Sequence, residues 1–149
     1  MKKIFPLSIF FCVSFISHLQ AQDTPRFQKE YINPANGYTQ VVAVTTGPVK
    51  TLYISGQVGE GEDLESQLRS AFSNLEKQLQ DAGATLADLV KTTTFFVDYQ
   101  SDHLEIFKKV REEFLGTRNL PASTLVGVQS LALERFLVEI EAVAVVKLE

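Results

Sequence analysis

Two carboxylates, Glu139 and Glu141, stand inside an otherwise apolar segment near the C-terminus of this 149-residue chain. The segment 138–146 alternates like a β-strand, which places both acids on one face and apolar residues on the other. An ionised carboxylate in apolar surroundings costs free energy unless it finds a partner or takes up a proton. The pair therefore indicates either solvated or ion-paired surface acids or a group with a catalytic task, and both alternatives stay open at this point.

The elements that must position these acids form one uninterrupted α+β domain with the order ββαβαββ. Two helices of this length can cover only one face of the sheet, so the sequence predicts a second, uncovered face. A polar arm with two prolines, over 23–35, precedes the first strand. The predicted elements are strands over 38–45, 49–58 and 89–97, helices over 64–82 and 103–115, and two further strands within 120–146.

The N-terminus has the order of parts of a secretory signal peptide. Lys2 and Lys3 precede an apolar run over 4–16, and a Leu-Gln-Ala ending follows at Ala21. We expect residues 1–21 to be the signal and 22–149 to be the folded domain, exported to the periplasm or secreted. The run is shorter than the ~20 residues that span a bilayer, so no membrane attachment is expected after cleavage.

Charge and composition exclude several function classes for the expected mature chain. Loss of Lys2 and Lys3 leaves 12 basic against 18 acidic residues, a net charge of −6, which disfavours nucleic acid as a partner. The single cysteine, Cys12, falls in the expected signal, so disulfides and thiolate chemistry are not expected. Only His103 remains as a histidine, and we expect no metal centre.

Several motifs occur in the order and spacing of one known family, and together they cover nearly the whole expected domain. The motifs are Tyr38-Thr39-Gln40, Ile54-Ser55-Gly56-Gln57, Asn74-Leu75, Leu89-Val90-Lys91-Thr92-Thr93, Pro121-Ala122 and Val138-Glu139-Ile140-Glu141-Ala142. In these motifs the chain resembles the RidA/YjgF family. The resemblance implies a chorismate-mutase-like fold, with a mixed sheet and two helices on one face. It also implies a homotrimer with small-molecule clefts between subunits.

Members of that family with known activity hydrolyse 2-imino or enamino acids to 2-keto acids and ammonia, without a metal or organic cofactor. The resemblance implies that Glu139 polarises the attacking water, that Tyr38 is the cleft tyrosine and that the backbone of Gly56 approaches the ligand. It implies further ligand contacts at four positions, which are Ser55, Phe107, Ser123 and Leu125.

One departure from the family pattern bears directly on the substrate. Active deaminases of the family read Pro-Ala-Arg-Ser, and their arginine clamps the substrate carboxylate, whereas Ser123 stands here. Loss of a charge-assisted, bidentate contact removes a large part of anion binding. Arg118 or Arg135 is an alternative source of the missing charge.

Three hypotheses follow. The first is a hydrolase that uses Glu139 on an imine, enamine or related substrate without a 2-carboxylate. The second is a non-catalytic trimeric binder of a small metabolite, and the third is keto-acid-forming deamination. A ribonuclease role fits poorly with the charge and the single histidine. If Glu139 carries the chemistry, we expect Glu141 to hold a structural ion pair instead.

Export predicts a defined N-terminus. Cleavage after Ala21 should give a mature protein that starts at or near Gln22, because the small residue at 21 follows the apolar run as signal peptidases require. Mass spectrometry of the protein purified from its native compartment tests this. Recovery of a soluble cytoplasmic product that still carries Met1 would contradict it.

Overall fold

The structure is a computed structural model and describes residues 27–148. It is a mixed sheet with two helices on one face, as the resemblance implies, but it has six strands where the sequence predicted five. The elements are β1 (Gln28–Ala35), β2 (Tyr38–Thr46), β3 (Val49–Val58), α1 (Leu64–Asp81), β4 (Leu89–Val97), α2 (His103–Leu115), β5 (Ala122–Val128) and β6 (Val138–Lys147), with a 3-10 turn at Leu86–Asp88. The strand order is β1-β2-β3-β6-β4-β5, in which only β4 and β5 run parallel.

The core lies between the helices and one face of the sheet. In α1 the apolar residues recur at helical spacing, and those at 68, 72, 75 and 79 are almost completely buried. Alternate residues of β6 meet them, because Val138, Ile140 and Ala144 are fully buried. The helix α1 packs on β3 and β6 and contacts α2 along its other side, which leaves α2 next to β4 and β5.

The N-terminal arm contains a strand that the sequence did not predict, so the predicted order of elements is wrong at this end. Its prolines and polar residues predicted no strand, yet Gln28–Ala35 pairs with β2 through a turn in which Gly37 has a φ of 91°. An edge strand tolerates Pro34, since one side of its backbone needs no ladder partner. The side-chain amide of Asn33 donates to Gln78 and Asp81 of α1, both at 2.8 Å. The order is therefore βββαβαββ.

The face of the sheet that points away from the helices, called the open face below, carries several apolar side chains, and no other element of residues 27–148 covers it. Tyr31 pairs with Val42, Val42 with Tyr53 and Tyr53 with Val143, so these side chains share that face. Tyr31 and Tyr53 are 61% and 53% exposed. Such a contiguous apolar surface is typical of an interaction site.

The expected signal over 1–21 lies outside the described residues. Between residues 27 and 148, no helix has both the length and the apolar character needed to cross a membrane.

Candidate active site

Glu139 occupies a place in the sheet that only a glycine neighbour permits. The pairing of β3 with β6 slips between Ile54 and Gln57, which marks a β-bulge at Ser55 and Gly56. A Cβ added at Gly56 would overlap the carboxylate of Glu139. The missing side chain at 56 therefore makes the room into which this carboxylate packs, on the open face of β6.

The carboxylate of Glu139 has no partner of opposite charge. Among residues 27–148, no ion pair and no side-chain hydrogen bond involves it. Burial raises the pKa of Glu139 above its ordinary value of 4.5, and the negative charge of Glu141 raises it further. A carboxyl group of this kind takes up and returns a proton more readily than a solvated one.

Glu141 lies two residues along the same face and is exposed. The expected structural ion pair is wrong for the described chain, where Glu141 takes part in none of the ion pairs. The reason is geometric, because its neighbour across the strand pair is Thr93 rather than a cation.

A hydrogen-bonded chain ties Tyr38 to the bulge. The amide of Gln57, which is 4% exposed, donates to Gln40 and to the carbonyl of Ser55, both at 2.8 Å. The amide of Gln40 in turn donates to the Tyr38 hydroxyl at 3.1 Å, and the Ser55 hydroxyl donates to the carbonyl of Thr39 at 2.7 Å. We call Tyr38, Ser55, Gly56 and Glu139 the bulge group.

Sequence reasoning did not identify Gln40 and Gln57, the two glutamines of this hydrogen-bonded network, as site residues. A buried glutamine directly after an internal strand glycine was the available signal, because buried amides must be hydrogen-bonded.

The remaining expected ligand contacts lie elsewhere. In the parallel register Ser123 pairs with Thr92 and Leu125 with Thr94, both of which are buried on the helix side of the sheet. The hydroxyl oxygens of Ser123 and Thr92 are 3.4 Å apart. Ser123 and Leu125, which we call the edge group, therefore occupy the opposite face from Glu139. One chain does not bring the two groups together.

Phe107 is a core residue within the single chain. It is 4% exposed, and its ring meets that of Phe96 edge-on at a centroid distance of 5.8 Å. It lies on the same side of the sheet as the edge group.

The two arginines proposed to replace the clamp lie at different places. The guanidinium of Arg135 lies 4.5 Å from the ring centroid of Phe136, just before β6. Arg118 follows α2 and lines a pocket of about 290 Å³ with Leu86, Phe114 and Pro121. Neither joins an ion pair in the described part of the chain.

A shallow pocket of about 340 Å³ opens on the open face beside the bulge group. Tyr53, Ser55, Lys91 and Glu141 line it, while Glu139 does not. Between residues 27 and 148, no three His, Cys, Asp or Glu side chains lie close enough together to hold a metal ion.

Comparison with known proteins gives consistent matches. Residues 28–146 match the family model described as endoribonuclease L-PSP. The RutC family protein YjgH of Escherichia coli strain K12 is 37% identical over 87 residues, which are 54% of this chain and 66% of that protein, just under two thirds of its length. The 2-iminobutanoate/2-iminopropanoate deaminase of Dermatophagoides farinae is 28% identical over 122 residues, or 76% of this chain and 89% of that protein.

A solved structure supports the same assignment. A YjgF/YER057c/UK114 family member from Mycobacterium tuberculosis superposes with a TM-score of 0.68 at 32% identity, covering 80% of this chain and all of that one (100%). The match over 28–146 and the shared sheet topology confirm the resemblance found in the sequence, and the chain belongs to the endoribonuclease L-PSP family, which is the RidA/YjgF family.

Proposed function

We propose that this protein hydrolyses an imine, enamine or related small molecule in a cleft between the subunits of a homotrimer, with Glu139 as the base. The observation that carries the proposal is the unpartnered carboxylate of Glu139, held against Gly56 at a β-bulge. A structural acid would have a partner, and this one has a raised pKa instead. The deaminase name of one relative supports the same reaction class.

The chemistry needs little beyond placement. Glu139 accepts a proton from a water molecule, and the oxygen of that water forms a bond to the electrophilic imine carbon. Glu139 returns that proton to the nitrogen, which gives a carbinolamine. Glu139 then carries the proton of the new hydroxyl group to the amine nitrogen as the carbon–nitrogen bond breaks, and a carbonyl compound and ammonia leave. A positioned carboxyl group with a raised pKa suits these proton transfers.

The assembly follows from two features of the single chain. The open face presents Tyr31 and Tyr53 to solvent, which a second copy would cover. The bulge group and the edge group lie on opposite sides of the sheet, so a site containing both needs two copies. A closed trimer places the edge group of one subunit against Glu139 of the partner subunit.

The substrate differs from a simple 2-imino acid. Ser123 carries no charge, and within the chain its nearest polar neighbour is the hydroxyl of Thr92. A carboxylate next to the reacting carbon would therefore be desolvated without a partner at this position. An exported location, with residues 1–21 as the signal, is part of the same proposal.

The non-catalytic binder remains the second candidate, because the uncharged Ser123 removes the group that orients the substrate in the active relatives. Ligand binding without turnover of any imine would distinguish this binder from the hydrolase.

Self-association is the first expectation. Light scattering at micromolar concentration should give three times the mass of the mature chain, because the apolar open face is otherwise left in water. Tyr53→Glu should shift the mass toward the monomer, whereas Lys77→Glu, on the exposed side of α1, should not. A monomer mass for the unaltered protein would refute the inter-subunit cleft.

Turnover of 2-iminobutyrate, generated in situ, should be weak or undetectable, since Ser123 cannot bind its carboxylate. Ser123→Arg should raise kcat/KM by about tenfold or more, because a guanidinium group at this position can bind the substrate carboxylate through two hydrogen bonds. Release of 2-oxobutyrate and ammonia measures both. High turnover by the unaltered protein would show that another cationic side chain already binds the substrate carboxylate.

Glu139 and Glu141 provide a matched pair of substitutions. Glu139→Gln should abolish hydrolysis and raise the melting temperature at neutral pH by a few degrees, because it removes an unpaired, partly desolvated charge. Glu141→Gln removes an exposed, unpaired acid and should change the free energy of unfolding by no more than about 0.5 kcal/mol.

The stabilisation by Glu139→Gln should depend on pH. A carboxyl group whose folded-state pKa is raised destabilises the fold at pH values where the unfolded state has released the proton that the folded state still holds. The difference in melting temperature should therefore be near zero below pH 4.5, grow as the pH rises to the folded-state pKa of Glu139, and stay constant above it. Equal, pH-independent losses from both substitutions would contradict a functional role for Glu139.

A further inference from the structure

Arg111 of α2 carries a charged group that the fold leaves without a hydrogen-bond acceptor. Its Nε atom is buried, and no acceptor for it exists among the described residues. The guanidinium carbon lies over the Phe107 ring, 5.6 Å from its centroid, and the residue as a whole is half-buried. Burying an unpaired guanidinium N–H is costly, and a structural account would supply its acceptor.

The other cations of α2 are occupied. Lys108 pairs with Glu105 at 2.8 Å, and Lys109 pairs with Glu65 of α1 at 2.7 Å. Within residues 103–115, Arg111 is thus the one lysine or arginine that joins no ion pair.

Helix geometry places Arg111 on the flank of α2 that faces the edge group. Lys109 and Glu113 both bind α1, through Glu65 and Arg69. A residue two positions away lies about 200° round the helix, so Arg111 points to the side away from α1. The Phe107 ring, over which the Arg111 guanidinium lies, meets Phe96 of β4, so this side of α2 lies next to β4, the strand that pairs with the edge group.

A second unpaired atom lies on the same side of the sheet. The hydroxyl of Thr94 is fully buried without a partner, and Thr94 pairs in register with Leu125 of the edge group. Arg111 Nε and this hydroxyl are the two buried side-chain atoms without partners in the described chain. Thr94 and Phe96 alternate on the helix side of β4, and Phe96 meets the Phe107 ring on which Arg111 lies, so both unpaired atoms lie between α2 and the helix side of the sheet.

We infer that Arg111 binds the anionic group of the ligand, from the helix side of the cleft, in place of the arginine that is absent at position 123. Its guanidinium offers a planar, bidentate donor set for a carboxylate. The inference rests on the proposed function in placing this flank of α2 in the ligand cleft.

The position of Arg111 defines a substrate class. The anion is held by the helix rather than by strand β5, with the apolar side chains of Phe107 and Leu125 on the same side of the sheet. The ligand that fits has an apolar chain with a carboxylate remote from the reacting carbon. This differs from a 2-imino acid, in which the two groups are adjacent.

Binding of hexanoate, compared with its neutral isostere hexanamide, tests the inference without any reaction. Titration calorimetry on the assembled protein should show hexanoate binding about tenfold or more tightly than hexanamide. Arg111→Gln should abolish that preference, and Arg111→Lys should retain part of it, because a lysine keeps the charge but loses the fork. Arg118→Gln is the control and should leave the preference unchanged. Melting curves of each variant establish that the fold is intact.

The outcomes separate this inference from the proposed hydrolysis. An unchanged preference in folded Arg111→Gln, or its loss in Arg118→Gln alone, would overturn the role of Arg111 even if Glu139-dependent hydrolysis were found. A preference that depends on Arg111 and persists in Glu139→Gln supports the anion site, whether or not any imine is turned over.

Discussion

The helices of this fold cover one face of the sheet, and that constraint determines where a charge can stand in the central strand β6. Val138, Ile140 and Ala144 face the helices and are fully buried, whereas Glu139 and Glu141 alternate with them on the open face. An acid moved by one position would enter the core, where an unpaired carboxylate costs several kcal/mol. The same constraint leaves the open face without a cover among residues 27–148.

Much of the fold and part of the site could be predicted from local pattern. Strand β4 has the bounds that its β-branched and aromatic residues predicted, and the alternation in β6 placed Glu139 correctly on one face with Glu141. Strand β1 was missed because its pairing with β2 and its ties from Asn33 to α1 are tertiary contacts. Propensity scales see only Pro34 and the polar residues around it.

The parts of the site that escaped prediction depend on what faces a residue across the fold. No sequence pattern shows that Gly56 lies under the carboxylate of Glu139, because the resemblance implied only that the backbone of Gly56 approaches the ligand. Likewise, Arg111 looks like one of several basic residues on a solvated helix. Only the ion pairs of Lys108 and Lys109, and the packing of α2 beside α1, distinguish it from them.

The two unpaired charges have opposite sign, yet they cannot neutralise each other within one chain. Glu139 lies on the open face and Arg111 on the helix side, with the hydrogen-bonded sheet between them. Both charges lack a partner of opposite sign. In natural proteins such departures from local charge pairing are expected at functional sites. In the proposed trimer, a ligand held by Arg111 of one subunit meets Glu139 of the partner subunit across the cleft. The electrostatic arrangement that one chain leaves incomplete is then completed by a second chain and by the ligand that both hold.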